Sequence, residues 1–140
     1  MCIRDRSSWK DAVSLFRTTA GAHFANVSDA DWETYARQTF VEDNGRLQLR
    51  YDPALARTLE AVSPDAPLPE MWPQFEALAN IPVLGIRGEN SDILSAATFA
   101  EMGKRHPDFK PLIVKGQGHA PLLLDQPTIS AIAEFVGRVR

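Results

Sequence analysis

Apolar residues recur at helical spacing in the first half of the chain, whereas in the second half they gather into short blocks, each followed by a polar loop. Trp9, Val13, Phe16 and Ala20 share one helical face, and Ser8 with Asp11 three residues on reads as its capping box. Gly21 ends that helix or loosens its last turn. Ser28 with Asp31 repeats the capping signal, and Trp32, Tyr35, Ala36, Thr39 and Phe40 continue as a mostly apolar stripe. Aromatics at that spacing read first as packing. Asp43-Asn44-Gly45 signals a turn, after which Leu47, Leu49 and Tyr51 alternate with Arg46, Gln48 and Arg50. Such alternation predicts a short half-exposed strand or extended arm. Asp52-Pro53 opens a further helix carrying Leu55, Leu59 and Val62, since proline suits a first helical turn. Pro64, Pro67 and Pro69 then predict a connecting loop, and Met71 to Ala79 a short helix with Trp72, Phe75 and Leu78 on one side.

The second half has a different rhythm. Val83 to Ile86 is an apolar run interrupted by Gly85, as in a strand buried on both faces. Gly88 lets the backbone turn, and Glu89, Asn90, Ser91 and Asp92 form a polar loop. Ser95 is a suitable N-cap for a helix that carries Phe99 and Met102 and stops before Pro107. Leu112 to Lys115 is the next strand and Gly116-Gln-Gly-His119-Ala-Pro121 the next loop. Ile129, Ile132, Val136 and Val139 mark a last helix with Pro127 in its first turn and Asp125 just before it. Strands over 82–87 and 111–115, with helices over 96–105 and 128–138, are therefore expected to form a parallel pair joined by a right-handed crossover. The predicted class is α/β.

Composition narrows the functional classes. The chain has 140 residues, 44% of them hydrophobic, enough for a sizeable core. A formal charge of −3 leaves no basic footprint for nucleic acid. No apolar run is long enough for a membrane helix, and the N-terminus lacks a secretory pattern. Cys2 is the only cysteine, so a cysteine-based metal cluster is not expected. The expected setting is cytoplasmic, with no cofactor. Met1 to Arg6 shows no periodicity, so residues 1–7 read as a non-native or disordered start.

In open α/β sheets, groups just beyond the carboxyl ends of parallel strands do the chemistry. Here one strand end offers the carboxylates of Glu89 and Asp92, and the next offers the imidazole of His119. That pairing points to an enzyme. His23 and His106 lack such a context and read as structural or exposed. Ser91 and Ser95 lie on the acid's side with no elbow geometry around them, so neither is proposed as a nucleophile. A non-enzymatic alternative takes Gly116-x-Gly118 as the phosphate loop of a nucleotide-binding module. Pro121 stands where the third glycine should be, and Glu134, the only acid near the expected spacing, sits within the last helix.

The string Ile-Pro-Val-Leu-Gly-Ile-Arg-Gly-Glu-Asn-Ser-Asp-Ile-Leu-Ser from Ile81, followed by Gly-Gln-Gly-His-Ala-Pro from Gly116, resembles the last two strand ends of an α/β-hydrolase. In that family the acid follows the seventh strand and the histidine the eighth, which implies Asp92 and His119 as the catalytic positions and prefers Asp92 to Glu89. The resemblance further implies that the Asp92 carboxylate reaches a His119 ring nitrogen at about 2.6–3.2 Å, or more loosely without ligand. Residues 29–80, with Arg50-Tyr51-Asp52-Pro53 and Met71-Trp72, resemble the lid and lid-return segment of esterase-like members. The implied organisation is a helical lid segment over 8–80 and a C-terminal β-α-β-α part of the core over 81–140. A lid with an aromatic face would favour a small-molecule substrate with an apolar part.

The sequence departs from the family pattern in one respect. It contains no Gly-x-Ser-x-Gly elbow and no His-Gly oxyanion segment. A serine hydroxyl needs a histidine to take its proton, and the acid orients that imidazole. The expected arrangement is thus a truncated Ser-His-Asp ester hydrolase whose nucleophile lies upstream, inactive alone and partnered by its own missing N-terminal half. Haloalkane-dehalogenase-like and epoxide-hydrolase-like members, with an upstream aspartate nucleophile, fit the same residues.

Overall fold

The computed structural model describes residues 8–59 and 69–139. The start at 1–7, Val62, Pro64 and Pro67 lie outside the described residues. The chain divides into two units, one of residues 1–19 and 28–70 and the other of 20–27 and 71–140.

In the first unit, α1 (Trp9–Ala20) begins where the Ser8 hydroxyl accepts the Asp11 amide at 3.2 Å. α2 (Asp29–Thr39) has a complete capping box between Ser28 and Asp31. Phe40 does not continue that helix, as its spacing suggested. It starts β1 (Phe40–Asp43), which pairs antiparallel with β2 (Arg46–Leu49). The hairpin closes through Asn44 and Gly45, both at positive φ (50° and 75°), the geometry a two-residue hairpin turn demands. Arg50 donates to the carbonyls of Arg37 and Phe40, which satisfies acceptors freed where the helix stops. Leu47 is buried while Arg46 and Gln48 are exposed, so the alternation belongs to a true strand.

The core of this unit gathers Ala12, Ala36, Phe40 and Leu47, flanked by Trp9, Val13, Phe16 and Leu49. Phe16 sits edge-on to Tyr35 at 4.7 Å and lies 5.8 Å from Phe40. The expected helix after Asp52 is a 3-10 helix, Pro53–Leu59. The Asp52 carboxylate accepts the Ala54 amide at 2.8 Å, a local bond that competes with regular α-helical pairing.

In the second unit, β3 (Val83–Gly88) and β4 (Phe109–Val114) pair in parallel, in register from Val83 opposite Phe109 to Gly88 opposite Val114. This is the expected pair. β4 begins at Phe109, ahead of the expected 111, with Pro111 inside it opposite Gly85; a strand paired on one side tolerates a proline that has no amide to donate. Among the described residues the sheet has these two strands only. α4 (Ala96–Arg105) is capped by Ser95, which accepts the Thr98 amide at 2.9 Å. α5 (Gln126–Arg138) is capped by Asp125, which accepts the Thr128 amide at 2.9 Å. The short helix α3 (Trp72–Glu76) sends Phe75 toward His106 and Phe109, at 5.5 and 6.3 Å. Phe99 of α4 meets Phe109 at 5.6 Å. Gly85 makes room for this aromatic group, since a Cβ there would lie 2.2 Å from the Phe109 ring.

Candidate functional site

Two loops leave the carboxyl ends of the parallel strands, residues 89–95 after β3 and 115–125 after β4. Backbone bonds join them. The Glu89 amide donates to the Val114 carbonyl at 2.9 Å, and the Asn90 amide donates to the Gln117 carbonyl at 2.9 Å. Close packing completes the junction: a Cβ on Gly88 would lie 1.9 Å from the Gly118 carbonyl oxygen. Gly88 is therefore required by backbone against backbone; it does not have the positive φ of a sharp turn. Gly116 does, at 65°, so there the missing side chain serves conformation. Gly118 in turn lies under His23 and Phe24, either of which a Cβ would approach to 2.8 Å. Asn90 fastens the same segment by donating from its side chain to the His23 carbonyl at 3.1 Å.

Asp92 and His119 thus sit on neighbouring, mutually bonded loops, and both are exposed. The expected hydrogen bond between them is not formed in this structure. Glu89, the rival acid, does not face the histidine either. Its carboxylate accepts Lys115 Nζ at 2.8 Å and the Gly116 amide at 2.9 Å. Those two bonds, the Lys115 one first, hold its carboxyl below the usual glutamate range. Glu89 is a tie between loops.

Two buried polar residues that sequence reasoning passed over shape the loops. Arg87, 8% exposed, directs its guanidinium to three carbonyls of the first loop: Nε to Leu94 at 2.6 Å, Nη1 to Glu89 at 3.2 Å and Nη2 to Ser91 at 3.3 Å. Gln117, 5% exposed, accepts the Leu122 amide on its side-chain oxygen at 2.7 Å and so spans the turn that carries His119. A charge inside an apolar strand was the available signal for Arg87, because burial of an unpaired cation is costly. Nothing local marks Gln117.

His106 is buried and structural. Its Nδ1 accepts the Asp108 amide at 3.2 Å, so Nε2 carries the proton and donates to the Leu78 carbonyl at 3.0 Å. Trp72 packs on Phe75 and under the Arg105 guanidinium, 4.5 Å from the ring centre. Trp32 and Tyr35 pack with Phe16 in the first unit's core. These aromatics are engaged in packing. A cavity of about 290 Å³ lies among Asn26, Val114, Lys115, Gln117, Asp125 and Thr128 and is lined by neither Asp92 nor His119. Among the described residues no group of three acidic, histidine or cysteine side chains could hold a metal, and no helix is long and apolar enough to cross a membrane.

Comparison with known proteins agrees with this architecture. An alpha/beta hydrolase from Novosphingobium aromaticivorans superposes with a TM-score of 0.82 at 36% identity, covering 97% of this chain and 48% of that one. An esterase from Mycobacterium tuberculosis shares the fold at a TM-score of 0.59 and 24% identity, covering 97% of this chain and 42% of its own. A 3-hydroxybutyrate-oligomer hydrolase of Cupriavidus necator is 37% identical over 90 residues, which is 62% of this chain and 30% of that relative. The chain thus spans about half the length of the solved relatives and less of the curated one. No protein-family model matches it.

Proposed function

We propose that this chain, a member of the α/β-hydrolase fold family that carries the C-terminal part of the family's parallel sheet, supplies the base and orienting acid of an ester-hydrolysing site. His119 takes the proton from a nucleophile during attack, and Asp92 holds the imidazole in the tautomer that leaves the other nitrogen free to accept. The nucleophile is a serine on an elbow upstream of residue 8, in the part of the protein that the relatives have and this chain does not span. Residues 8–80 act as the lid segment. The substrate is a small molecule with an ester bond. The curated relative is named for oligomers of a hydroxy acid, and a hydroxy acid condensed with itself makes an ester.

The observation that carries this reading is the bonded junction of the two loops. With Glu89 committed to Lys115 and Gly116, Asp92 is the acid of the first loop left without a bond of its own, and His119 is the imidazole of the second. Catalytic hydrogen bonds are often long or unformed without substrate, so the open Asp92–His119 geometry is compatible with the roles assigned. The aromatic residues lend no support to an apolar substrate, because those of the stripe are engaged in packing.

The test is an assay on short-chain aryl esters. The 140-residue chain alone should turn over nothing above background, since its sequence holds no Gly-x-Ser-x-Gly elbow and no His-Gly oxyanion segment. The intact protein, with the elbow residue supplied, should hydrolyse the ester. His119→Ala and Asp92→Asn should each lower kcat by about 10⁴-fold. Undiminished turnover in both variants would overturn the assignment. An aspartate at the elbow would redirect it to the dehalogenase-like or epoxide-hydrolase-like chemistry.

A further inference from the structure

We infer that Arg87 is a positioning residue for the acid: it sets the shape of the loop that presents Asp92, without touching the substrate. The inference rests on the reading of Asp92 as the orienting acid. Arg87 lies in β3, one residue before the strand's end, and its side chain is almost wholly withdrawn from water. A buried guanidinium cannot shed its charge, so it needs acceptors for its fork of donors. Here those acceptors are not carboxylates. Among the described residues every one is a main-chain carbonyl, and all three belong to the loop after β3.

Their positions in sequence matter. Glu89 and Ser91 precede Asp92, and Leu94 follows it, so the bonded carbonyls bracket the acid on both sides. A planar, rigid fork bonded to carbonyls before and after one residue restricts how the backbone between them can turn. The Asp92 carboxylate, which makes no bond of its own among the described residues, is then aimed by the backbone that Arg87 holds. Two further bonds close the loop around the same anchor. The Leu94 amide donates to the Ser91 hydroxyl at 3.0 Å, and the Ser91 amide donates to the Gly88 carbonyl at 3.0 Å. The shortest contact of the fork, Nε to Leu94, fixes the loop just before the Ser95 cap, so the loop enters α4 from a defined point. An ammonium group in the same place is a compact charge with no fork, so Arg87→Lys should hold part of the set and Arg87→Gln less.

The experiment uses the intact protein and four variants: Arg87→Lys, Arg87→Gln, Asp92→Asn and, as a control away from the loop, Thr128→Val. Steady-state kinetics on an aryl ester are combined with backbone amide exchange over residues 89–95. Arg87→Gln should lower kcat roughly 10- to 100-fold with KM little changed, the scale of an ångström-sized misplacement of a catalytic group. Exchange at Ser91 and Leu94 should rise. Arg87→Lys should recover part of both, which a general loss of stability would not produce, and Thr128→Val should change neither. If Asp92→Asn abolishes turnover while Arg87→Gln leaves kcat and loop exchange as they were, the positioning role is overturned and the acid assignment stands. If Asp92→Asn keeps full turnover, the acid assignment itself falls, and this inference with it. Should Arg87→Gln fail to fold, Arg87→Lys alone decides: normal kcat with normal loop exchange overturns the proposal, and a parallel loss in both supports it.

Discussion

The two units bury different things. In the first, the described buried side chains are apolar: Ala12, Leu15, Trp32, Ala36, Phe40 and Leu47. In the second, Arg87, His106, Gln117 and Thr128 are buried beside only three apolar ones, Phe24, Phe99 and Val114. Large apolar side chains are exposed in both units, Val41 and Leu55 in the first and Ile93, Ile113, Ile129 and Val136 in the second. Apolar burial contributes roughly 25 cal/mol per Å² without regard to direction, so it stabilises a fold but specifies no atom position. Buried polar groups contribute little net stability, yet each must meet a partner at a defined distance and angle. The first unit is therefore organised for cohesion, and the second for the placement of two loops.

That contrast can be broken by substitution. The largest effect should come from Phe40→Ala, which empties the one large side chain that is fully buried among the described residues. A loss of about 3–5 kcal/mol in urea unfolding is expected. A loss below about 1 kcal/mol would mean that apolar cohesion does not hold the first unit. Next comes Gly88→Ala. Its methyl would enter the Gly118 carbonyl, and backbone on both sides leaves nothing flexible to move, so a cost of about 1–3 kcal/mol or more is expected. The loss should be accompanied by shifts in the amide resonances of 115–119. Unshifted resonances would show that the loops are not pressed together there.

The smallest effect concerns Glu89. Its folded value is lowered, so the ionised carboxylate adds stability above the ordinary glutamate value of 4.5, and that contribution is lost as pH falls from there through the lowered value. Protection of the Gly116 amide should drop over that interval. Glu89→Gln, which cannot titrate, should remove the acid-dependent part of the drop. An identical acid profile in both proteins would show that the Glu89 tie does not hold the junction.

The patterned parts of both units were legible. Ser28-x-x-Asp31, Asn44-Gly45 and Ser95 each state a local geometry in contiguous residues, and each forms as read. The strand-loop-helix order led to the parallel pair of β3 and β4. Less legible was Phe40, whose spacing fits the α2 stripe because it buries in the same core, although its backbone has already become extended.

What the residues determine by themselves is thus whatever depends on near neighbours: where helices start, where the hairpin turns, which faces are apolar, and which loops carry an acid and an imidazole. The tertiary structure decided the rest. That residues 20–27 join the second unit, that Gly88 is glycine because of Gly118, that His106 is buried against the Leu78 carbonyl and that Arg87 gathers three carbonyls all depend on contacts between distant or differently oriented segments. A side chain's identity states which bonds it can make. Which groups it meets, and how far from water, is set only when the chain has brought them together.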